Sequence, residues 1–165
     1  MTTTPTYRAW TRLSGGPFGS TPLGSALFSL GMCARVPYFA TVLPRVTLLE
    51  PGRCEVRAPK WWGVHNHLGT FHAIAACNLA EAAMGMLAEA TVPTTHRWIP
   101  KAMTTRYLTK ATTGLHAVAQ LTDLPDFETI TGDTGGAELT IPVSIGDKNG
   151  TEVVHADITV WITRR

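Results

Sequence analysis

One segment dominates the pattern of apolar and polar positions: a short polar loop runs straight into a long apolar stretch. Between Gly69 and Thr91 the chain carries eight alanines, and its only acidic or basic residues other than histidine are Glu81 and Glu89. Pro93 follows soon after, and proline cannot continue a helix. Because a helix that is apolar nearly all round is a buried one, the pattern predicts a central core helix over this stretch.

A second helix is predicted nearer the N-terminus. From Leu23 to Tyr38 the apolar residues fall on one helical stripe. The uncharged run from Leu13 to Ala34 follows two arginines, which loosely resembles an export signal. Glycines and prolines interrupt it too often for a membrane-spanning helix of about 20 apolar residues. We therefore predict neither export nor a membrane span.

Alternating apolar and polar residues predict strands on both sides of the core helix. A hairpin is predicted over 41–58, with its turn at Pro51–Gly52. Further strands are predicted over 103–108, 115–121, 139–145 and 154–162, with a hairpin loop at 146–150. Pro142 indicates an edge or a bulge in its strand, because proline lacks the N–H that a ladder requires.

The order of these elements predicts the fold class. It is helix, two strands, one long helix and four strands. A curved antiparallel β-sheet wrapped around one long central helix accounts for this order and for the apolar helix. The α+β hotdog fold has that arrangement. We predict a helical extension over 1–40 with its extra N-terminal helix, and a single hotdog domain over 41–165.

Composition narrows the class of protein. With 165 residues, 44% of them hydrophobic and 16% charged, the chain suits a compact protein that covers part of its surface in an oligomer. A net charge of +2 without a Lys/Arg run argues against nucleic acid as a partner. The three cysteines form no CxxC pair, which indicates reduced thiols and a cytoplasmic location.

Four spaced residues carry the clearest functional signal. Asn66, Gly69 and His72 stand three apart, and Glu81 follows nine positions after His72. With the segment Tyr107–Ala111, this chain resembles hotdog-fold thioesterases of the phenylacetate-degradation type. Their motif is Asn-x-x-Gly-x-x-His-Gly-Gly with an acidic residue nine beyond the His, and many carry Tyr-Leu-x-x-Ala. The resemblance covers roughly residues 40 to 165.

The resemblance implies hydrolysis of an acyl-CoA thioester, with coenzyme A as part of the substrate and no separate cofactor. The Ala73 N–H would polarise the thioester carbonyl, as N–H groups at a helix start are able to do. Glu81 would act as general base or nucleophile, while Asn66 and His72 orient the loop or the substrate. The predicted substrate-binding residues are Gly69, Thr70 and Asn78, with four cations for the coenzyme A phosphates: Arg97, Lys101, Arg106 and Lys110.

The chain departs from the family motif at three places. Ala73-Ile74 replaces the usual Gly-Gly, which keeps the N–H but narrows the approach to it. Pro100 stands where several relatives place a hydroxyl residue that positions water. The acidic residue is Glu rather than Asp, so it reaches one methylene further.

The spacing also bears on assembly. Nine helical residues separate His72 from Glu81 by ~13 Å, which is too far for one chemical step within a single subunit. Hotdog proteins solve this by pairing, with the loop of one subunit facing the acid of its partner. The resemblance therefore implies a homo-oligomer, a dimer or a tetramer.

Other interpretations remain open for these residues. Glu81 would equally fit a position on the helix that is open to solvent, and Asn66 would fit a cap of the turn before the helix. The four cations would equally form a solvent-exposed face. Neither the spacing of His65, His67 and His72 nor nearby carboxylates match a common zinc site, so no metal is predicted. Besides a thioesterase, two functions stay open: a hotdog protein that binds acyl groups without hydrolysing them, and a dehydratase or hydratase.

Overall fold

Helices and strands follow one another in the predicted order, with one further helix at the front. The computed structural model describes residues 3–15, 22–131 and 135–165. The helices in these ranges are α1 (Pro5–Gly15), α2 (Pro22–Arg35) and α3 (Ala73–Thr91), and 3-10 turns cover Pro37–Val42, Trp62–Val64 and Phe127–Thr129. The strands are β1 (Arg45–Glu50), β2 (Arg53–Ala58), β3 (His96–Tyr107), β4 (Leu115–Gln120), β5 (Ala137–Gly146) and β6 (Glu152–Arg164).

The six described strands form one antiparallel sheet in the order β1-β2-β4-β5-β6-β3. Alternate residues of each strand point to opposite faces, and one face packs on α3. On β6 the buried residues at alternate positions are Val154, Ala156, Ile158, Val160 and Ile162. On α3, Leu79 and Leu87 are fully buried. The predicted α+β arrangement, an antiparallel sheet packed against one long central helix, is confirmed.

The central helix begins four residues later than predicted, at Ala73 rather than Gly69. Gly69 lies at φ +69°, a left-handed conformation that favours glycine and does not continue a right-handed helix. The loop is closed on itself by a bond from the Gly69 N–H to the carbonyl of Asn66, 3.0 Å long. The polar residues of the motif therefore form a turn that precedes the helix.

The N-terminal region holds two helices where the sequence pattern predicted one. α2 ends at Arg35 rather than Tyr38, because Pro37 starts a 3-10 turn. α1 packs on α2 through an edge-to-face contact between Trp10 and Phe28, whose ring centroids are 5.1 Å apart. The Thr4 hydroxyl donates to the carbonyl of Glu89, tying this region to α3.

Strand boundaries differ from the predictions mainly at β1 and β3. β1 starts at Arg45 because the 3-10 turn occupies the preceding residues, and β3 starts at His96, seven residues earlier than predicted. Pro142 does not lie on an edge strand, since β5 runs between β4 and β6. Its half of β5 nevertheless pairs with β6 alone, because the β4 pairing begins at Val143.

β3 is the edge strand next to β6, and its other edge has no partner in the described chain. Of its twelve residues only His96 is buried. Long exposed edges of this kind are templates for pairing with another chain.

α3 is long and apolar enough to cross a membrane by length and composition alone. However, 61% of its most apolar stretch is buried within the described structure. That burial is typical of the core helix of a folded domain.

Candidate functional site

The loop before α3 is organised by the side chain of Asn66. Its amide oxygen accepts from the N–H groups of Leu68 and Thr70, at 3.0 and 3.1 Å, and its amide nitrogen donates to the Thr70 hydroxyl at 2.8 Å. Asn66 and Thr70 thus bond to each other and shape the turn in which Gly69 adopts a positive φ. These bonds give both residues a positioning role at the start of the helix.

His72 is the N-cap of α3. Its Nδ1 accepts from the N–H of Ile74 at 3.1 Å, which satisfies one of the free donors at a helix start. The N–H of Ala73 donates to no described residue, and Ala73 is exposed. One backbone donor at the positive end of the helix dipole is therefore unpaired, at the position where the sequence predicted carbonyl polarisation.

Glu81 lies in the middle of α3 and is partly buried, and its carboxylate forms no hydrogen bond or ion pair with any described residue. It lines two adjoining clefts. The larger, of about 1100 Å³, separates α1 and α2 from α3 and β3. The smaller, of about 260 Å³, lies against β3 from Pro100 to Met103. The carboxylate is therefore open to a molecule bound in either cleft.

The strand opposite Glu81 is distorted. The pairing of β3 with β6 shifts register between Pro100 and Ala102, so Lys101 is the extra residue of a β-bulge. Pro100 lines both clefts together with Glu81. The proline ring has no hydroxyl and no N–H with which to hold a water molecule beside Glu81, as its identity in the sequence implied.

A thiol and a phenol lie one helical turn from Glu81. Cys77 Sγ is 3.2 Å from Tyr107 Oη and 3.6 Å from Thr105 Oγ1. The bond to Cys77, with some burial, raises the pKa of Tyr107 to about 12. Cys77 and Glu81 lie four residues apart on α3, so the Cys77 thiol and the Glu81 carboxylate are on the same face of the helix.

Asn78 is buried, and its side chain bonds the 3-10 turn that precedes β1. Its amide nitrogen donates to the Tyr38 carbonyl at 3.2 Å and to the Thr41 hydroxyl at 3.0 Å, which fastens the 3-10 turn to α3. Its amide oxygen is without a partner among the described residues. Asn78 does not bond Glu81 and lines neither described cleft.

The four predicted cations lie along β3 and just beyond it, and three of them bond side chains of β5 or β6. Arg97 Nε donates to Thr163 Oγ1 at 3.0 Å, and Arg106 lies 3.6 Å from the Asp157 carboxylate. Lys101 pairs with Glu138 and stands 5.2 Å from the ring centre of Trp161. Thr163, Asp157 and Trp161 belong to the β6 face that points away from α3, since the alternate residues of β6 are buried. Lys110 is exposed and forms none of these pairs.

The structure thus brings Asn66, Thr70, His72 and Ala73 together at the start of α3, and it places Glu81 two helical turns further on. Within one protomer the loop and the acid do not meet. Among the described residues, no cluster of three or more His, Cys, Asp or Glu side chains is arranged to hold a metal ion.

The wall of the larger cleft that faces α3 was not predicted from the sequence. It includes α1, which was not predicted, and the arginines Arg8, Arg35 and Arg165, which line the larger cleft with Arg97. The available signal was the amphipathic pattern of α1, in which Tyr7, Trp10 and Leu13 repeat at helical spacing.

The architecture is that of the hotdog fold, and structures of hotdog thioesterases share it. The chain covers 99% of a Pseudomonas aeruginosa protein of unknown function, PA5026, described as a probable thioesterase, at 23% identity and a TM-score of 0.76, with 99% of this chain matched. The Haemophilus influenzae thioesterase HI1161 matches 81% of this chain and 87% of its own, at 10% identity and a TM-score of 0.68. The resemblance to the hotdog thioesterase superfamily is confirmed at the level of the fold.

A family model identifies the particular group. Residues 24–162 match DUF4442, a domain of unknown function, and the chain belongs to that family. The match begins at Gly24 and so includes most of α2. The structural-genomics target APC5556 is 35% identical, with a TM-score of 0.78 over 97% of this chain and 98% of that one. No curated protein matches the chain significantly.

Proposed function

We propose that this protein is an acyl-CoA thioesterase in which Glu81 is the general base or nucleophile. The observation that carries the proposal is the Glu81 carboxylate itself, unpaired and half-buried on the core helix where two clefts adjoin. Structural relatives described as thioesterases support the reaction class. We place the reaction in the cytoplasm, in keeping with the free thiols of Cys33, Cys54 and Cys77.

The chemistry follows from two groups. The carboxylate takes a proton from water, and the water oxygen attacks the thioester carbon. The carbonyl oxygen becomes an oxyanion, which the free Ala73 N–H stabilises by a hydrogen bond at the positive end of α3. The C–S bond then breaks, and the thiolate of coenzyme A takes the proton from Glu81. In the nucleophilic variant Glu81 attacks the carbon directly, the C–S bond breaks and the thiolate of coenzyme A leaves. Water then hydrolyses the resulting anhydride, which frees the Glu81 carboxylate and the acid, and the thiolate takes the proton released.

The site is completed by a second copy of the chain. Ala73 and Glu81 are separated by ~12 Å along one helix, so the donor and the acid of one reaction come from different subunits. The free edge of β3 is the surface for such pairing, because Ile99, Met103 and Tyr107 are exposed along it. Coenzyme A phosphates would be bound by Arg97, Lys101, Arg106 and Lys110, in competition with the pairs to Glu138 and Asp157.

The second candidate is a protein that binds acyl-CoA without hydrolysing it. Two features favour it. Ile74 is 57% exposed beside the Ala73 N–H, where the motif that this chain resembles has glycine, and it narrows the approach to that donor. Pro100, opposite Glu81, supplies no hydroxyl to position water.

The experiment is thiol release from an acyl-CoA panel by wild type, Glu81→Gln and the control Glu50→Gln. Glu50 is an exposed carboxylate at the end of β1. We expect Glu81→Gln to lose about a hundred-fold or more in kcat while its thermal unfolding stays that of wild type, and Glu50→Gln to keep full activity. Binding of acyl-CoA by a wild-type protein that hydrolyses none of the panel would replace the thioesterase with the binding protein.

A further inference from the structure

The larger cleft has a wall that the hotdog sheet and core helix do not supply. One side is α3 and β3, with Met84, Met86 and Trp98. The other is the helical pair α1–α2 with the turn that follows. It contributes an apolar set comprising Leu13, Leu27, Phe28, Met32 and Phe39. Ligand pockets for small molecules are typically apolar clefts of ~300–1,000 Å³ with few polar groups, and this one, at about 1100 Å³, is of that kind and size.

The cleft is continuous with the proposed reaction centre. It reaches from Glu81 past Met84 and Gly85 to Glu89, ~12 Å along the axis of α3. A linear apolar group attached to a carbonyl at Glu81 would therefore lie along the helix, between α3 and the N-terminal helices.

The charges of the cleft fit an amphiphile with an anionic head. Arg8, Arg35, Arg97 and Arg165 all line it and are exposed. They outnumber the two carboxylates of the cleft, Glu81 and Glu89, so its charge is cationic on balance while its walls are apolar. Two of them, Arg8 and Arg35, have side chains that form no hydrogen bond or ion pair with a described residue. Coenzyme A and a released fatty acid are both anionic.

We propose that this cleft is the acyl-chain site, and that the α1–α2 helical pair makes the protein selective for medium- to long-chain aliphatic acyl groups. The proposal rests on the proposed function for the position of the thioester carbonyl at Glu81. It assigns the N-terminal helices a substrate-binding role, and it makes the depth of the cleft the determinant of chain length.

Gly31 allows a clean test. It lines the cleft from α2, and a Cβ added there meets nothing within 4 Å. Gly31→Leu would place a branched side chain in the acyl path, and because leucine favours helix over glycine the fold should be retained. Ala34→Leu is the matched control, exposed on the same helix but outside the cleft.

A second variant probes the opposite wall. Gly85 lines the cleft from α3, and a Cβ there would stand 3.6 Å from Cη2 of Trp98, an ordinary contact. Gly85→Ala therefore narrows the cleft by one methyl group without displacing backbone. Agreement between the Gly31 and Gly85 variants would show that both walls contact the chain.

The readouts separate binding from catalysis. Binding is measured with non-hydrolysable thioether analogues of butyryl-, octanoyl-, dodecanoyl- and palmitoyl-CoA, and hydrolysis with the corresponding thioesters. For Gly31→Leu we expect about ten-fold or greater weakening of dodecanoyl and palmitoyl binding, with butyryl binding unchanged. Ala34→Leu should bind all four analogues as wild type does. Palmitate itself is the further arm: binding of the free acid that Gly31→Leu abolishes would identify the acyl chain alone as the recognised group.

Failure of the cleft and failure of the thioesterase give different results. Chain-length dependence in binding without hydrolysis would overturn the thioesterase and retain the acyl site. Hydrolysis by wild type with equal binding of long analogues to wild type, Gly31→Leu and Gly85→Ala would retain the thioesterase and overturn the acyl site.

Discussion

The thiol of Cys77 on α3 lies 3.2 Å from the phenol oxygen of Tyr107 on β3. The contact spans the gap between the core helix and the exposed edge strand, one turn from Glu81. The bond to Cys77 favours the protonated phenol, so the pKa of Tyr107 rises to about 12.

The first prediction concerns that pair. Cys77→Ala removes the bond and should return the pKa of Tyr107 toward its ordinary value of about 10. Because the folded pKa is the higher one, the pair stabilises the fold fully below about pH 10 and loses that contribution as the pH rises toward 12. Ultraviolet titration of phenolate formation measures the change. Cys33→Ala, which removes a half-buried thiol from α2, is the control and should leave the Tyr107 titration unaltered.

The second prediction isolates a backbone donor. Ala73→Pro deletes the free N–H, and proline is well tolerated at the first residue of a helix. His72 already has φ −64° and ψ 136°, the extended conformation that a residue before proline prefers. The fold should therefore survive, while kcat for thioester hydrolysis falls ~10²–10³-fold, the usual cost of losing an oxyanion donor.

Ala73→Gly is the matched control for this variant, because it keeps the N–H and removes the methyl group. It should hydrolyse thioesters at least as fast as wild type. Full activity in Ala73→Pro would show that the polarising group lies elsewhere.

The third prediction tests whether the site is shared between subunits. Ala73→Pro and Glu81→Gln homodimers should each be inactive. In a mixed dimer one site carries both defects and the other carries neither, because a two-fold interface brings the loop of one copy to the acid of the other. Random mixing should then restore about a quarter of wild-type activity.

Subunit exchange is checked by differently tagged copies and by sedimentation. Mixed dimers that form but stay inactive would place the donor and the acid of one reaction in the same subunit. A protein that sediments only as a monomer would contradict the shared site itself.

The fourth prediction concerns the attachment of the first hairpin to the core helix. The buried Thr91 hydroxyl donates to the Leu87 carbonyl at 2.7 Å and accepts from the Gly52 N–H at 2.9 Å. Thr91→Val keeps the shape but leaves the Gly52 N–H without an acceptor, which should lower the free energy of unfolding by ~1–3 kcal/mol. Urea denaturation measures the loss. Thr47→Val, on the exposed face of β1, removes a longer bond of 3.3 Å to the Glu55 carbonyl that water can replace. It should change the free energy of unfolding by less than ~0.5 kcal/mol.

The sequence by itself determined the elements whose pattern is strong and local. Strand β2 has the predicted bounds, and burial alternates along β6 from Val154 onward, because period-two burial requires no knowledge of the partner strand. The apolar core helix with a carboxylate at Glu81 was also predicted from the sequence, since a buried helix is apolar on nearly every face. From these the hotdog arrangement followed.

The predicted element boundaries were wrong where the local sequence pattern was ambiguous. Gly69 and Thr70 extend the apolar stretch in sequence, but the bonds of Asn66 fold them into a turn and the helix starts at Ala73. β3 was predicted too short because an exposed edge strand shows no alternation of burial. α1 has amphipathic spacing, but its apolar side is buried only because α2 and α3 pack against it.

The tertiary structure decided the rest of the site. It put Glu81 on a cleft, set Pro100 opposite it at a bulge, and paired Lys101 with Glu138 on the side of the sheet away from the core helix. It also placed Arg8 and Arg35 on the same cleft as Glu81, although they lie far apart in the chain. Spacing along a helix or strand fixes only which residues share a face. Which faces meet depends on the long-range packing of α1 against α3 and of α2 against β1, and no local pattern encodes those contacts.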